Sequence, residues 1–248
     1  MDGTNDPSDA DWGPFGRPLF DQASSRRLSR VGVIDVGSNT VRMVVFDGAA
    51  RSPAYFFNEK VACELGAGLS QTGRLNPEGS TRALAAMQRF HHLSQGMATG
   101  PLTAVATAAV RDADDGRDFC ADVLRETGIR IRILDGAEEA TFSAKGVLLG
   151  WPGSYGLVCD MGGSSMELAE IKGGRVGRAI TSPLGPLKLR DLKGGKKGRK
   201  AQIKDHVAAM HAQLGEQRDR LFLVGGSFRA IAKIDMERRN YPLRVLHE

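Results

Sequence analysis

The apolar positions of this 248-residue chain follow two rhythms in turn. Period-two alternation marks 31–36 and 41–47, with Gly37-Ser38-Asn39-Thr40 between them. These predict two strands joined by a tight turn, because alternate side chains face opposite ways and Gly, Ser and Asn suit turn backbone. A further strand is expected at 54–62, then a loop at 66–73. The period next lengthens to that of a helix. Pro77 opens one, with Ala83, Leu84, Met87, Phe90 and His91 on a single face to about residue 95. Strand 102–107, a helix from its cap Asp115 to its stop Gly128, strand 129–134 and a helix over about 137–149 complete a β-β-β-α-β-α-β-α order.

The same opening then recurs. Residues 155–160 end in Asp160, Met161-Gly-Gly-Ser-Ser165 follows, and strands are expected at 166–171 and 175–181 with Gly173-Gly174 as a hairpin turn. Asp160 lies 125 positions after Asp35 (160 − 35). A repeat of that length predicts two similar units, 30–150 and 151–248. In the second, a helix spans 201–214, a strand 221–224, and Gly225-Gly226-Ser227 opens a helix to about 238. Leu243-Arg-Val-Leu246 reads as the start of a fifth strand, so this unit is expected to be C-terminally incomplete. Residues 1–29, rich in Asp, Gly, Pro and Ser without periodicity, read as a disordered tail. The fold class is α/β, with mixed sheets carrying helices on their faces.

Composition narrows the setting. At 41% hydrophobic and 25% charged residues, the chain is an ordinary globular one. No apolar run reaches the roughly 18–20 residues of a membrane helix, and the N-terminus lacks the order of a signal peptide. No membrane partner is expected. Cys63, Cys120 and Cys159 are an odd, scattered set, as buried thiols in a reducing compartment are, so the cytoplasm is expected. The net charge is +5, and Lys188, Arg190, Lys193, Lys196, Lys197, Arg199 and Lys200 concentrate it in Gly-rich sequence. That run reads either as a solvated loop or as a guide for a polyanion. It has no interleaved aromatics, so nucleic acid is not favoured.

The candidate chemistry lies at the ends of the predicted strands. Asp35 and Asp160 stand beside equivalent turns, where carboxylates could hold Mg²⁺ or another divalent cation against phosphate. Gly37, Ser38, Asn39 and Thr40, and Gly162, Gly163, Ser164 and Ser165, would offer N–H and hydroxyl groups to phosphate oxygens. Gly226 and Ser227 open a helix whose bare N–H groups suit the same ligand. Arg111, after strand 102–107, could grip phosphate in a bidentate manner. Glu138 and Glu139 begin the helix after strand 129–134. The helix dipole accounts for one of them, and the other could deprotonate water. Glu167 is a further carboxylate. The side chain of Arg42 faces opposite to Val41 and Met43, toward either cleft or solvent.

Six ordered segments together resemble the exopolyphosphatase / guanosine-pentaphosphate phosphohydrolase (Ppx/GppA) family of the actin-like ATPase superfamily. They are IDVGSNTVRMVV (34–45), VATAAVRDA (105–113), DGAEEA (135–140), VCDMGGSSMELAEI (158–171), SPLGPLKL (182–189) and GGSFRAIAKI (225–234). The resemblance implies two ribonuclease H-like domains, each a mixed five-stranded sheet with helices on both faces, and a cleft between them. It implies release of terminal phosphate from inorganic polyphosphate or guanosine pentaphosphate. Glu139 then matches the family's catalytic glutamate, Arg111 its arginine, and Asp35, Asp160 and Glu167 its metal- and phosphate-organising acids. Two features depart from the family pattern: Ser164 stands where a third Gly is usual, and Thr141 replaces Arg. A homodimer is a candidate assembly. The alternatives are a non-catalytic polyphosphate or alarmone sensor, favoured by Ser164 and the absent C-terminal domain, and an actin-like ATPase or sugar kinase.

Overall fold

Alternation at the first turn sets the faces of the first sheet. In the computed structural model, which describes residues 30–48, 54–100, 102–214 and 219–242, β1 (Val31–Val36) and β2 (Thr40–Phe46) pair antiparallel. The expected N-terminal tail and the strand at 243–246 lie outside the described residues. β3 (Tyr55–Ala62) pairs antiparallel with β2. After α1 (Leu69–Thr72) and α2 (Pro77–Gly96), β4 (Leu102–Ala106) returns parallel to β1. α3 (Ala108–Asp112), α4 (Gly116–Thr127) and β5 (Ile131–Ile133) follow, giving sheet order β3-β2-β1-β4-β5. The Ile34, Val36, Val41 and Met43 side chains share one face, and Met87 and Phe90 of α2 and Phe119 and Val123 of α4 close a core on it. Burying one such side chain contributes about 1.5–3 kcal/mol, which explains the fixed register. The opposite face carries Asp35, Arg42 and Lys60.

The second sheet repeats the plan. α5 (Gly136–Gly150) precedes β6 (Gly156–Met161), β7 (Met166–Lys172) and β8 (Arg175–Ser182). Then come α6 (Pro186–Asp191), α7 (Gly195–Leu214), β9 (Leu221–Val224) and α8 (Gly226–Arg238). Sheet order is β8-β7-β6-β9, with β9 parallel to β6, so four strands form this sheet among the described residues. Residues 173–174 form the expected hairpin turn between β7 and β8.

Four short or polar helices depart from expectation. The 66–73 loop contains α1, and α3 and α6 had no periodic signature. α7 begins at Gly195, so most of the basic run is helical rather than loop. The larger correction concerns α5. Its Ala140 and Ala144 pack against Val158, Ala169 and Ile171 of the second sheet. By packing, α5 goes with the second lobe, whereas the sequence reading ended the first unit at residue 150. Chain order does not reveal which sheet a helix will cover.

The three cysteines are free thiols. No helix among the described residues is long and apolar enough to cross a membrane.

Candidate active site

The two turns that link β1 to β2 and β6 to β7 meet at the lobe boundary. A Cβ placed on Gly163 would stand 3.0 Å from Ser38 Cβ, so the hairpin tips are in contact. Above them opens a cleft of about 1190 Å³. Of the residues singled out from the sequence, Asp35, Gly37–Thr40, Glu139, Asp160, Gly162, Gly163, Ser165, Gly226 and Ser227 line it. Arg111, Ser164 and Glu167 do not.

Register explains how each acid reaches its place. Asp35 is paired with Arg42, and Arg42 with Lys60, so this acid and two cations form a cross-strand row on the cleft face. Asp160 is paired with Glu167, and Glu167 with Thr181. Residues 42 and 167 therefore hold equivalent positions in the two hairpins, with a cation in one lobe and an acid in the other. The side chain of Asp35 opens to the cleft, yet protein crowds it from both lobes. That loss of solvent, with the negative charge of Asp160, raises its pKa to about 6, while Arg42 and Lys60 pull it down.

The Glu pair of α5 divides its duties. Glu138 accepts from Asp135 N at 3.0 Å and Asp135 Oδ1 accepts from Glu138 N at 2.8 Å, a reciprocal helix cap. Glu138 also pairs with Arg132. Glu139, one residue on, turns into the cleft and is only 15% exposed. Burial and the charge of Glu167 raise its pKa to about 7, Arg111 opposes the rise, and Asp160 adds to it. Arg111 Nη1 donates to Glu139 Oε2 at 3.2 Å and to Leu134 O at 3.0 Å. Arg111 thus holds the acid from behind rather than lining the cleft.

Two glycines make this geometry possible. A Cβ on Gly136 would lie 2.2 Å from Thr181 Cγ2, so only Gly lets the start of α5 sit down on β8. Gly225 has φ +104° and a Cβ there would stand 2.9 Å from Asp160 Oδ1, so the N-terminus of α8 abuts that carboxylate.

Ser164 and Glu167 depart from their expected roles. Ser164 is buried, with its hydroxyl 3.3 Å from where a Cβ on Gly66 would be. It faces Gly66 of the first lobe and does not line the cleft. Glu167 is 1% exposed beneath the start of α5. Thr181 Oγ1 donates to its Oε1 at 3.0 Å, and its Oε2 has no hydrogen-bond partner among the described residues. Burial raises its pKa, the Ser165 and Thr181 hydrogen bonds lower it, and Asp160 raises it. Among the described residues no three His, Cys, Asp or Glu side chains gather into a metal cage. Of the expected trio Asp35, Asp160 and Glu167, the two aspartates line the cleft. Their mutual repulsion fits a divalent cation, and one or two carboxylates completed by water and phosphate is how Mg²⁺ is usually held.

The sequence leaves the side of Arg42 open and gives no separate signal for Asn58 and Lys60, and all three line the cleft, as does Arg229 at the end of the 225–229 turn. Arg42 Nε donates to Asn58 Oδ1 at 2.9 Å. The hairpin register was the available signal, since a turn at 37–40 opposes 35 to 42. Ser143, which donates to Asp160, had none.

A family model described as the Ppx/GppA phosphatase family matches residues 44–248. Exopolyphosphatase 1 of Mycobacterium tuberculosis is 31% identical over 163 residues, 64% of this chain and 47% of its own length. Exopolyphosphatase 2 of the same organism is 34% identical over 158 residues, 57% of this chain and 48% of its own. The chain spans about half the length of the curated relatives it matches. The crystal structure of an exopolyphosphatase from Cytophaga hutchinsonii superposes with a TM-score of 0.78 at 24% identity, over 86% of this chain and 72% of that one. The Aquifex aeolicus Ppx/GppA family member gives 0.69 at 24% identity, over 87% and 71%. At such identity the likeness establishes the fold.

Proposed function

Because this chain belongs to the Ppx/GppA phosphatase family, we propose that it is a phosphohydrolase releasing terminal phosphate from inorganic polyphosphate. The observation that carries the reading is Glu139, a carboxyl in the cleft beside both hairpins with its pKa near 7. A base so tuned is part ionised at neutral pH and still basic enough to accept a proton. Glu139 takes a proton from a water molecule. The water oxygen bonds to the terminal phosphorus, the bridging P–O bond breaks, and orthophosphate leaves a chain shorter by one unit. Glu139 then returns its proton to solvent.

The other residues position and neutralise. Gly37 N and Gly162 N close their own turns on Thr40 O and Ser165 O, so backbone N–H and hydroxyl groups of 38–40, Gly163 and Ser165 would hold phosphoryl oxygens from opposite lobes. Arg42, Lys60 and Arg229 add positive charge along the walls. Asp35 and Asp160 would hold the divalent cation, which when bound offsets charge on the phosphoryl oxygens. Arg111 fixes Glu139.

Guanosine pentaphosphate is the second substrate to test, since the cleft residues offer phosphate contacts above all. Orthophosphate release should be measured side by side on polyphosphate, guanosine pentaphosphate and ATP with Mg²⁺. Release from polyphosphate supports the proposal. Binding without release would favour the sensor, and ATP-dependent transfer to an acceptor would favour a kinase.

A further inference from the structure

The seam between the lobes carries a second ion pair beside Arg111 and Glu139. α3 belongs to the first lobe, where Ala109 and Val110 enter the core. α6 belongs to the second, where Leu189 packs on Ile180, Leu184 and Met210. Consecutive residues of α3 reach across with opposite charges, Arg111 to Glu139 and Asp112 to Lys188. Lys188 Nζ donates to Asp112 Oδ2 at 2.6 Å. Asp112 Oδ1 lies 3.4 Å from Arg111 Nε. A row of alternating charges thus runs from Lys188 through Asp112 and Arg111 to Glu139. The Asp112 and Lys188 side chains are 32% and 29% exposed, and neither lines the cleft. Ser70 of α1 also pairs with Asp191 at the end of α6, so α6 makes a second polar contact with the first lobe.

We propose that Asp112 and Lys188 are positioning residues, their ion pair across the seam holding α3 on α6 so that the Arg111 guanidinium stays on Glu139. Docking of the lobes and assembly of the hydrolytic pair are then one event. The catalytic side of this role rests on the phosphohydrolase reading above. Because both side chains lie outside the cleft, their loss should act on turnover and leave substrate affinity nearly alone.

The test compares Lys188→Met and Asp112→Asn with the conservative Lys188→Arg and Asp112→Glu in the 248-residue chain. Orthophosphate release from polyphosphate gives kcat and KM, and amide hydrogen exchange is followed over 108–112 and 186–191. The neutral variants should lower kcat about tenfold to a hundredfold, as a displacement of about 1 Å does. KM should stay within about threefold. Lys188→Arg should recover most of the loss, and exchange should rise in both helices whichever residue is changed. An unchanged kcat, a rise in KM alone, or equal losses in Lys188→Met and Lys188→Arg would overturn the assignment. So would faster exchange confined to the helix that carries the substitution. If the unmodified chain releases no phosphate, the phosphohydrolase reading fails, and the exchange result by itself decides whether the pair joins the helices.

Discussion

Arg111 Nη1 stands 3.2 Å from Glu139 Oε2, and the two come from helices packed on different sheets. The guanidinium is an opposite charge beside a crowded acid, and it holds the Glu139 pKa below the level that burial and Glu167 would otherwise set. Replacing Arg111 by Met should therefore move the acidic limb of the kcat–pH profile to higher pH. The maximal rate should also fall by about 10²-fold or more through lost orientation. A kcat–pH profile for both proteins checks this. An acid limb that stays put would show that the contact does not tune Glu139.

The same raised acid links to stability. Between pH 4.5 and about 7 the folded chain keeps a proton on Glu139 that the unfolded chain has released. Where the native state binds more protons, stability falls as pH rises. Glu139→Gln removes that contribution. Its stability relative to the parent should therefore grow from pH 5 to pH 7.5, as read by urea denaturation at each pH without divalent cation. A pH-independent difference would contradict the raised pKa.

Gly136 is the contact on which α5 seats. A Cβ there would stand 2.2 Å from Thr181 Cγ2 and 2.6 Å from Thr181 Cβ, and a β-branched side chain on a strand has little room to yield. Gly136→Ala should cost about 1–3 kcal/mol, the usual scale of overpacking. The loss should appear as a lower Tm even though Ala is the better helix former. An equal or higher Tm would mean that the approach of α5 to β8 is not tight in solution.

How legible this molecule is from its sequence varies with the range of the interaction. Both hairpins could be read, because alternation and turn chemistry are local and the pairing of 35 with 42 follows from the turn at 37–40. Pro77, Gly128 and the Glu138–Glu139 pair could be read for the same reason. The lobe to which α5 belongs could not, since Ala140 and Ala144 look alike against either sheet. α3 and α6 are too short for a period to show. The start of α7 is masked by glycines and lysines that look like a loop. At the site, Ser164 sits in the right turn but faces Gly66, and Glu167 sits on the right strand but beneath α5. Motif position gave the backbone location in both cases, and only packing decided where the side chain went.

Glu139 is the group proposed to accept the proton of attacking water. The most direct measurement is orthophosphate release from polyphosphate by the parent chain and by Glu139→Gln, alongside polyphosphate affinity, all with Mg²⁺. Loss of a general base predicts a rate lowered by about 10²- to 10⁴-fold, with affinity largely kept. A variant that still releases phosphate at the parent rate would contradict the assignment.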